Sequence, residues 1–97
     1  MIMVHDIFVC KPGNASKIAK LFKEWTEVSP EKNTNVMTDM TGQWHRVIVA
    51  STFESLAAYE EAMKTMGQTD EEKKVMEKFM DLNEMYVSGS REIFKMW

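Results

Sequence analysis

The feature that most constrains the fold of this chain is the order in which its hydrophobic pattern changes along only 97 residues. Residues 2–10, IMVHDIFVC, are rich in β-branched and aromatic side chains, which favour a strand, and the KPGN that follows ends it. From Asn14, a potential helix cap, apolar residues recur every three or four positions as far as Trp25, which is the period of an amphipathic helix. Because Pro30 disfavours helical geometry at the residue before it, this helix should end there.

The middle of the chain predicts a hairpin followed by a second helix. Residues 33–40 alternate weakly and predict an edge strand, and a Thr-Gly turn leads into a third strand at roughly 44–53. Ser55 can cap the second helix, and Gly67 should end it.

The last third of the chain begins with a capping box and ends with a strand. Thr69 and Glu72 of the segment TDEE have the three-residue separation of that motif, which predicts the start of a third helix. The final YVSGSREIFKMW predicts a fourth strand. With right-handed crossovers, the order β-α-β-β-α-α-β predicts an α+β, ferredoxin-like fold. Its four-stranded antiparallel sheet would have the order 4-1-3-2 and carry the helices on one face, and the whole chain, 1–97, would form one domain.

Composition excludes several classes of function. The net charge of −3 offers no attraction to nucleic acid or to anionic lipid. The longest uncharged apolar stretch, residues 47–50, is far too short to cross a bilayer. Cys10 is the only cysteine, so no internal disulfide can form, and the start of the chain lacks the pattern of a signal peptide. We therefore expect a cytoplasmic protein with neither nucleic acid nor membrane as a partner.

The two histidines are weak candidates for a metal site. Alternation places both His5 and His45 on the helix side of the sheet, without a clear carboxylate or thiol partner there. Both can equally be ordinary histidines that form hydrogen bonds near the ends of strands. We therefore expect no metal and no cofactor.

Strand alternation also predicts which residues face the helices. We assign the more uniformly apolar sets to the helix side: Met3, His5, Ile7 and Val9 of the first strand, with Val47, Val49, Ser51 and Phe53 of the third. The opposite face then holds Val4, Phe8, Cys10, Ile48 and Ala50 around Asp6 and Arg46. A face of this composition is too apolar to be left in water, which predicts a partner.

Three segments carry a resemblance to a known group of proteins. HDIFVCKPGNASKIAKLFKEW, HRVIVASTFESLAAYEEAM and SGSREIFKMW resemble the dimeric α/β-barrel superfamily. That superfamily includes small cofactor-independent monooxygenases of the antibiotic-biosynthesis type and NIPSNAP-type domains. The resemblance covers nearly the whole chain as a pattern, without a catalytic signature. It implies a homodimer in which two sheets pack face to face into a barrel, and a small-molecule pocket; it implies no particular reaction.

Asp6 and Arg46 are the candidate catalytic residues. Antiparallel pairing of the first and third strands would bring them within diagonal reach on the barrel face. The pair could be a salt bridge that fixes the register of the dimer, or an arginine that orients an anion or a carbonyl beside a carboxylate base. Candidate ligand-binding residues around them are Phe8, Trp44, Tyr59, Arg91 and Trp97.

Two functions remain open from the sequence. The first is a small homodimeric protein that binds an organic ligand in a pocket between sheet and helices. The alternative is a cofactor-independent monooxygenase acting on a small electron-rich substrate, enolisable or aromatic, and whether the chain is an enzyme stays undecided. An open pocket beside Asp6 and Arg46 would favour a ligand, whereas a pocket plugged by Phe8, Trp97 and methionines would favour a module that serves only in assembly.

Overall fold

The computed structural model describes residues 1–30, 33–42 and 44–97. Its four strands are β1 (Ile2–Cys10), β2 (Thr34–Thr38), β3 (Arg46–Phe53) and β4 (Tyr86–Lys95). Its helices are α1 (Ala15–Val28), α2 (Leu56–Thr65) and α3 (Asp70–Glu77), with a short 3₁₀ turn at Leu82–Glu84. The elements follow the predicted order, β-α-β-β-α-α-β.

The four strands form one antiparallel sheet in the order β2-β3-β1-β4. Counted from the other edge this is 4-1-3-2, so the predicted ferredoxin-like fold is confirmed. The two central strands, β1 and β3, pair from Ile2 opposite Phe53 to Val9 opposite Arg46. β4 pairs with the other edge of β1 and places Arg91 directly opposite Asp6.

The ends of α2 and α3 are fixed by the residues that the sequence indicates. The Ala58 N–H donates to the Ser55 hydroxyl at 3.1 Å, and the Glu72 N–H donates to the Thr69 hydroxyl at 3.1 Å. Each bond satisfies a backbone donor that the first turn of a helix leaves without a partner. After α2 the chain turns at Gly67 with φ of 78°, a conformation that favours glycine. Asn14 precedes α1, but its side chain makes no capping hydrogen bond.

The core lies between α1 and the two central strands. Cys10, Ile18 and Val47 are almost completely buried, and Phe8 and Phe22 pack against them. The rings of Phe8 and Phe22 lie 5.2 Å apart, which joins the middle of α1 to the sheet.

The predicted face of β1 is wrong. Residues directly opposite in an antiparallel pair share a face, and Phe8 lies opposite Val47 while Asp6 lies opposite Val49. Val4, Asp6, Phe8 and Cys10 therefore face the helices, and the assignment of Met3, His5, Ile7 and Val9 to that side is reversed. The prediction ranked the two sets by apolarity, but both sets are apolar enough for either side.

The side of the sheet that faces away from the helices is here called the open sheet face. It carries Met3, His5, Ile7 and Val9 of β1, Ile48 and Ala50 of β3, and Phe94 of β4. The rings of His5 and Phe94 meet edge to face on it, with centroids 5.3 Å apart. Phe8, which we expected on this face, lies on the other.

The third strand begins later than predicted. β3 starts at Arg46, while Trp44 and His45 belong to the preceding turn. His45 has φ of 64°, in the left-handed region that breaks a strand, and its carbonyl accepts a 2.7 Å hydrogen bond from the Cys10 N–H. The predicted alternation therefore does not extend to His45, which lies exposed in the turn.

Candidate functional site

A cavity of about 670 Å³ lies between the helix side of the sheet and the helices. Six of its lining residues are aromatic: Phe8, Phe22, Trp25, Phe53, Phe79 and Tyr86. Strands β1, β3 and β4 form its floor, and side chains of all three helices form its walls. Its size and its mostly apolar lining are those of a pocket for a small organic molecule.

The cavity exists because α2 is not packed down on the sheet. All ten residues of this helix, each of which the structure describes, are at least partly exposed. Met63 and Met66 stand at the edge of the cavity and are 37% and 38% exposed. Since methionine side chains are flexible, this edge can adapt to ligands of different shape.

An ion pair forms one polar part of the cavity wall. Asp6 and Arg91 lie opposite each other on β1 and β4, and the Arg91 Nε–H donates to the Asp6 carboxylate at 2.5 Å. Their side chains are 30% and 53% exposed, so the pair is reached by solvent and by anything in the cavity. The hydrogen bond to Asp6 raises the pKa of Arg91, which is cationic at every pH of interest.

Tyr59 of α2 stands beside this ion pair. The centre of the Arg91 guanidinium lies 5.8 Å from the centroid of the Tyr59 ring, and Tyr59 in turn packs edge to face on Phe53 at 5.2 Å. Cation–π contact of this kind orients a guanidinium plane. Arg91 is thus held from two sides, by the carboxylate on its own sheet and by an aromatic ring on α2.

A buried carboxylate forms a second polar part of the wall. Glu72 is 2% exposed and lines the cavity from the first turn of α3. One of its oxygens accepts the Gly67 N–H at 2.7 Å and the other accepts the Thr69 hydroxyl at 3.1 Å. With both oxygens acting as acceptors at a helix N-terminus, this is the arrangement of an ionised carboxylate.

Among the residues that the structure describes, neither Cys10 nor a cluster of metal-ligating side chains adds a reactive group to the cavity. Burial is the main cause that raises the pKa of the Cys10 thiol, which keeps the sulfur in its unreactive form. In residues 1–30, 33–42 and 44–97 no group of three or more His, Cys, Asp or Glu side chains is placed to hold a metal ion.

The predicted pairing of Asp6 with Arg46 is wrong. The Arg46 Nε–H donates to the Asp39 carboxylate at 3.2 Å, and the Arg46 backbone N–H donates to its other oxygen at 3.1 Å. Arg46 lies opposite Val9 on β1, so it belongs to the face that Asp6 does not occupy. Although burial of Asp39 acts in the opposite direction, the hydrogen bonds from Arg46 lower the pKa of that carboxyl group.

The structure divides the other predicted site residues into two groups. Phe8 and Arg91 line the cavity, and Tyr59 contacts Arg91 at its edge. Trp44 is 79% exposed in the turn before β3, and Trp97 is fully exposed at the end of the chain, where it lies 4.5 Å from the Lys95 amino group. Neither of these tryptophans lines the cavity.

Several lining residues escaped the sequence-based prediction. Phe22 and Trp25 belong to the apolar pattern of the first predicted helix, and Phe79 follows α3, but periodicity does not tell whether an apolar helix face is packed or borders a void. Glu72 was recognised only as a helix cap. Its apolar surroundings result from the packing of α3, which no local pattern reveals.

No family model matches the chain, and no curated protein matches it. Solved structures share its fold. A NIPSNAP domain protein from Burkholderia xenovorans is similar over 100% of this chain and 95% of its own, with a TM-score of 0.76 and 6% identity. A NIPSNAP family protein from Agrobacterium tumefaciens is similar over 97% and 90%, with a TM-score of 0.72 and 14% identity.

A third similar structure belongs to a candidate antibiotic biosynthesis monooxygenase from Deinococcus radiodurans. It covers 100% of this chain and 93% of its own, with a TM-score of 0.65 and 14% identity. The fold is the one these small domains share. The predicted resemblance to NIPSNAP-type and monooxygenase-type domains is therefore confirmed for the fold, and identities this low carry no function. None of the helices that the structure describes is both long and apolar enough to cross a membrane.

Proposed function

We propose that this protein binds a small organic molecule in the cavity between the sheet and the helices. The observation that carries the proposal is an apolar, partly open space of about 670 Å³ whose wall contains the Asp6–Arg91 ion pair. Aromatic side chains would cover the apolar body of the ligand, and the ion pair would orient its polar end.

Arg91 is the residue best suited to hold that polar end. Its Nε–H is donated to Asp6, and the two terminal amino groups of the guanidinium offer further donors to an oxygen of the ligand. Because Asp6 and Tyr59 already fix the guanidinium, little side-chain freedom is lost when a ligand binds.

The open cavity argues against a module that serves only in assembly. Phe8 lines the floor rather than filling the space, and Trp97 lies in solvent. Phe8 and Trp97 therefore leave the pocket accessible, and the methionines beside it, Met63, Met66 and Met76, line the space.

The proposal includes a homodimer that forms through the open sheet face. Ile7, Ile48 and Phe94 share this face with Met3, and a small domain rarely leaves a contiguous apolar surface of this kind in water. A second copy offers the same surface through a two-fold axis, and two sheets packed face to face would form a barrel. Arg46 would lie at this interface rather than in the cavity.

A cofactor-independent oxygenase is the second candidate. One observation favours it: a carboxylate and a guanidinium stand side by side in an apolar pocket, where they could hold an enolisable substrate and its enolate. Against it, the Asp6 oxygen is engaged by Arg91, so the carboxylate is less available as a base. Oxygen consumption with the ligands found below would separate an enzyme from a binding protein.

The test starts with a fragment library screened by saturation-transfer NMR against a protein with the Trp44→Phe and Trp97→Phe changes. The sequence has three tryptophans, and the two that are replaced are both exposed. Trp25, which lines the cavity, is then the one remaining tryptophan, so the fluorescence of the variant reports on the cavity. We expect fragments with a carbonyl group to bind and to change Trp25 fluorescence.

Arg91→Met should weaken the binding of those fragments. A hydrogen bond to a charged group contributes about 1.5–3 kcal/mol, so we expect a loss of about tenfold or more in affinity. Arg46→Met is the matched control, because it makes the same change at the other strand-borne arginine, on the opposite face of the sheet. Fragments that bind equally well to both variants and leave Trp25 fluorescence unchanged would place the binding site elsewhere and refute the proposal.

A further inference from the structure

Three charged side chains line the cavity in the part of the chain that the structure describes: Asp6, Glu72 and Arg91. Arg91 is matched by Asp6 in a closed ion pair, and Glu72 adds a negative charge that no other cation among the described lining residues balances. The described part of the lining therefore carries one more negative charge than positive.

We propose that the cavity selects uncharged ligands that carry a hydrogen-bond acceptor, such as ketones, esters or quinones, over carboxylates, and that Asp6 sets this selection. The inference rests on the proposed function, because it concerns the ligand of the same cavity. It goes further by naming the chemical class of the ligand and the residue that discriminates.

A carboxylate entering the cavity would lose its hydration among aromatic side chains and approach two negative groups. Glu72 is 2% exposed, so water screens its charge little and its repulsion of a second anion extends into the cavity. The attraction that Arg91 could offer in return is largely used on Asp6, because the two groups are in direct contact. A ligand anion would therefore lose the free energy of its hydration and gain little net attraction from the cavity in return.

A neutral acceptor escapes these costs. A ketone oxygen accepts a hydrogen bond from a terminal amino group of Arg91 without adding a charge, and the bond between Arg91 and Asp6 can stay intact. The rest of such a molecule can pack on the aromatic lining in the same way as the rest of the corresponding acid. The charge of the head group is thus what distinguishes the two ligands.

Asp6→Asn isolates the contribution of the ion pair. Asparagine has nearly the shape of aspartate and keeps an oxygen that can accept the Arg91 Nε–H, but it removes the negative charge. Arg91 would then be an unbalanced guanidinium at the cavity wall, which is the arrangement that binds a carboxylate with two parallel hydrogen bonds. The variant should therefore gain affinity for acids and change little toward ketones.

The experiment measures calorimetric affinities of 2-decanone and decanoate at pH 7.5, where decanoate is ionised. The two ligands share a ten-carbon chain and differ in the head group. We expect the wild type to bind 2-decanone at least tenfold more tightly than decanoate, and Asp6→Asn to bring the ratio to one or reverse it. Asp39→Asn is the control, because it removes the same charge from the ion pair outside the cavity and should leave the ratio unchanged.

The outcomes separate the two proposals. Tighter binding of decanoate by the wild type would overturn the inference even if the variant fails to fold, and it would leave the proposed binding function intact. An unchanged ratio in a folded Asp6→Asn protein would show that Asp6 does not set the selection. Failure of the wild type to bind either compound, or any fragment, would contradict the proposed function together with the inference.

Discussion

Thr69→Ala should destabilise the protein more than the loss of an ordinary helix cap. The Thr69 hydroxyl accepts the Glu72 N–H and also donates to the Glu72 carboxylate, with both distances at 3.1 Å. Loss of an N-cap costs about 1 kcal/mol. Loss of a hydrogen-bond donor to a buried charged group costs about 1.5–3 kcal/mol more. Since Glu72 keeps its bond from the Gly67 N–H, we expect a total near the lower end, about 2–3 kcal/mol.

The measurement is equilibrium unfolding in urea followed by circular dichroism, with thermal melting as a second readout. A loss of 2–3 kcal/mol corresponds to a fall in Tm of roughly 10–20 °C for a domain of this size. The variant should still fold, because domains of this kind have about 5–15 kcal/mol of stability.

Ser55→Ala is the matched control for this prediction. The Ser55 hydroxyl caps α2 with a bond of the same length, 3.1 Å, but the site is exposed and no buried carboxylate depends on it. We expect a loss of about 1 kcal/mol there, and almost none for Thr69→Ser, which keeps a hydroxyl. If Thr69→Ala and Ser55→Ala lower the free energy of unfolding by the same amount, the hydrogen bond from Thr69 does not stabilise the buried Glu72 carboxylate and the reasoning is refuted.

Two further predictions concern the other face of the sheet. Ile48→Glu should convert the proposed dimer to monomer or aggregate, because it places a charge on the open sheet face. Met80→Glu is the control, because Met80 is 80% exposed outside the strands and the change should leave the dimer intact. Sedimentation velocity measures the oligomeric state of both variants, and an intact Ile48→Glu dimer would refute the interface. Asp39→Asn should lower stability at neutral pH because Arg46 depresses the pKa of Asp39. The wild-type advantage should be complete above the unfolded-state value of about 3.9 and disappear as pH falls through the lower folded-state pKa, which urea midpoints at a series of pH values would show.

The elements and their order could be predicted because each depends on a local pattern. The first strand was predicted at residues 2–10 and is found at Ile2–Cys10. The caps at Ser55 and Thr69 follow from side chains that bond to a backbone three residues away. Right-handed crossovers then restrict four strands and their helices to few arrangements, and the confirmed strand order is one of these.

The faces of β1 could not be predicted because they depend on register between strands far apart in sequence. A shift of one residue exchanges the two faces of a strand, and both faces of β1 are apolar apart from Asp6 and His5. The set that contains Asp6 was assigned to the side away from the helices because it is the less uniformly apolar of the two. The helix side contains a cavity, and Arg91 of a strand 85 positions away meets Asp6 in it.

The prediction that Arg46, rather than Arg91, pairs with Asp6 was wrong for a related reason. Both arginines lie in strands and both find a carboxylate, but Asp39 reaches Arg46 across the turn that joins β2 and β3. That contact depends on the backbone of the turn, where His45 adopts its positive φ and delays the start of β3. Propensity favours a strand at Trp44, so the sequence pattern alone extends the strand too far.

The cavity and the weak packing of α2 have one origin in the sequence. Beyond its cap, α2 presents small or flexible side chains to the sheet, among them Ala62 and Met63, and none of its ten residues is buried. A helix with larger branched side chains at these positions would fill the space and stabilise the domain by about 1.5–3 kcal/mol for each side chain buried. The chain leaves that stability unused where Arg91 and Tyr59 meet, which is expected if the space serves a ligand, because a bound ligand would supply the missing contacts and stabilise the folded protein.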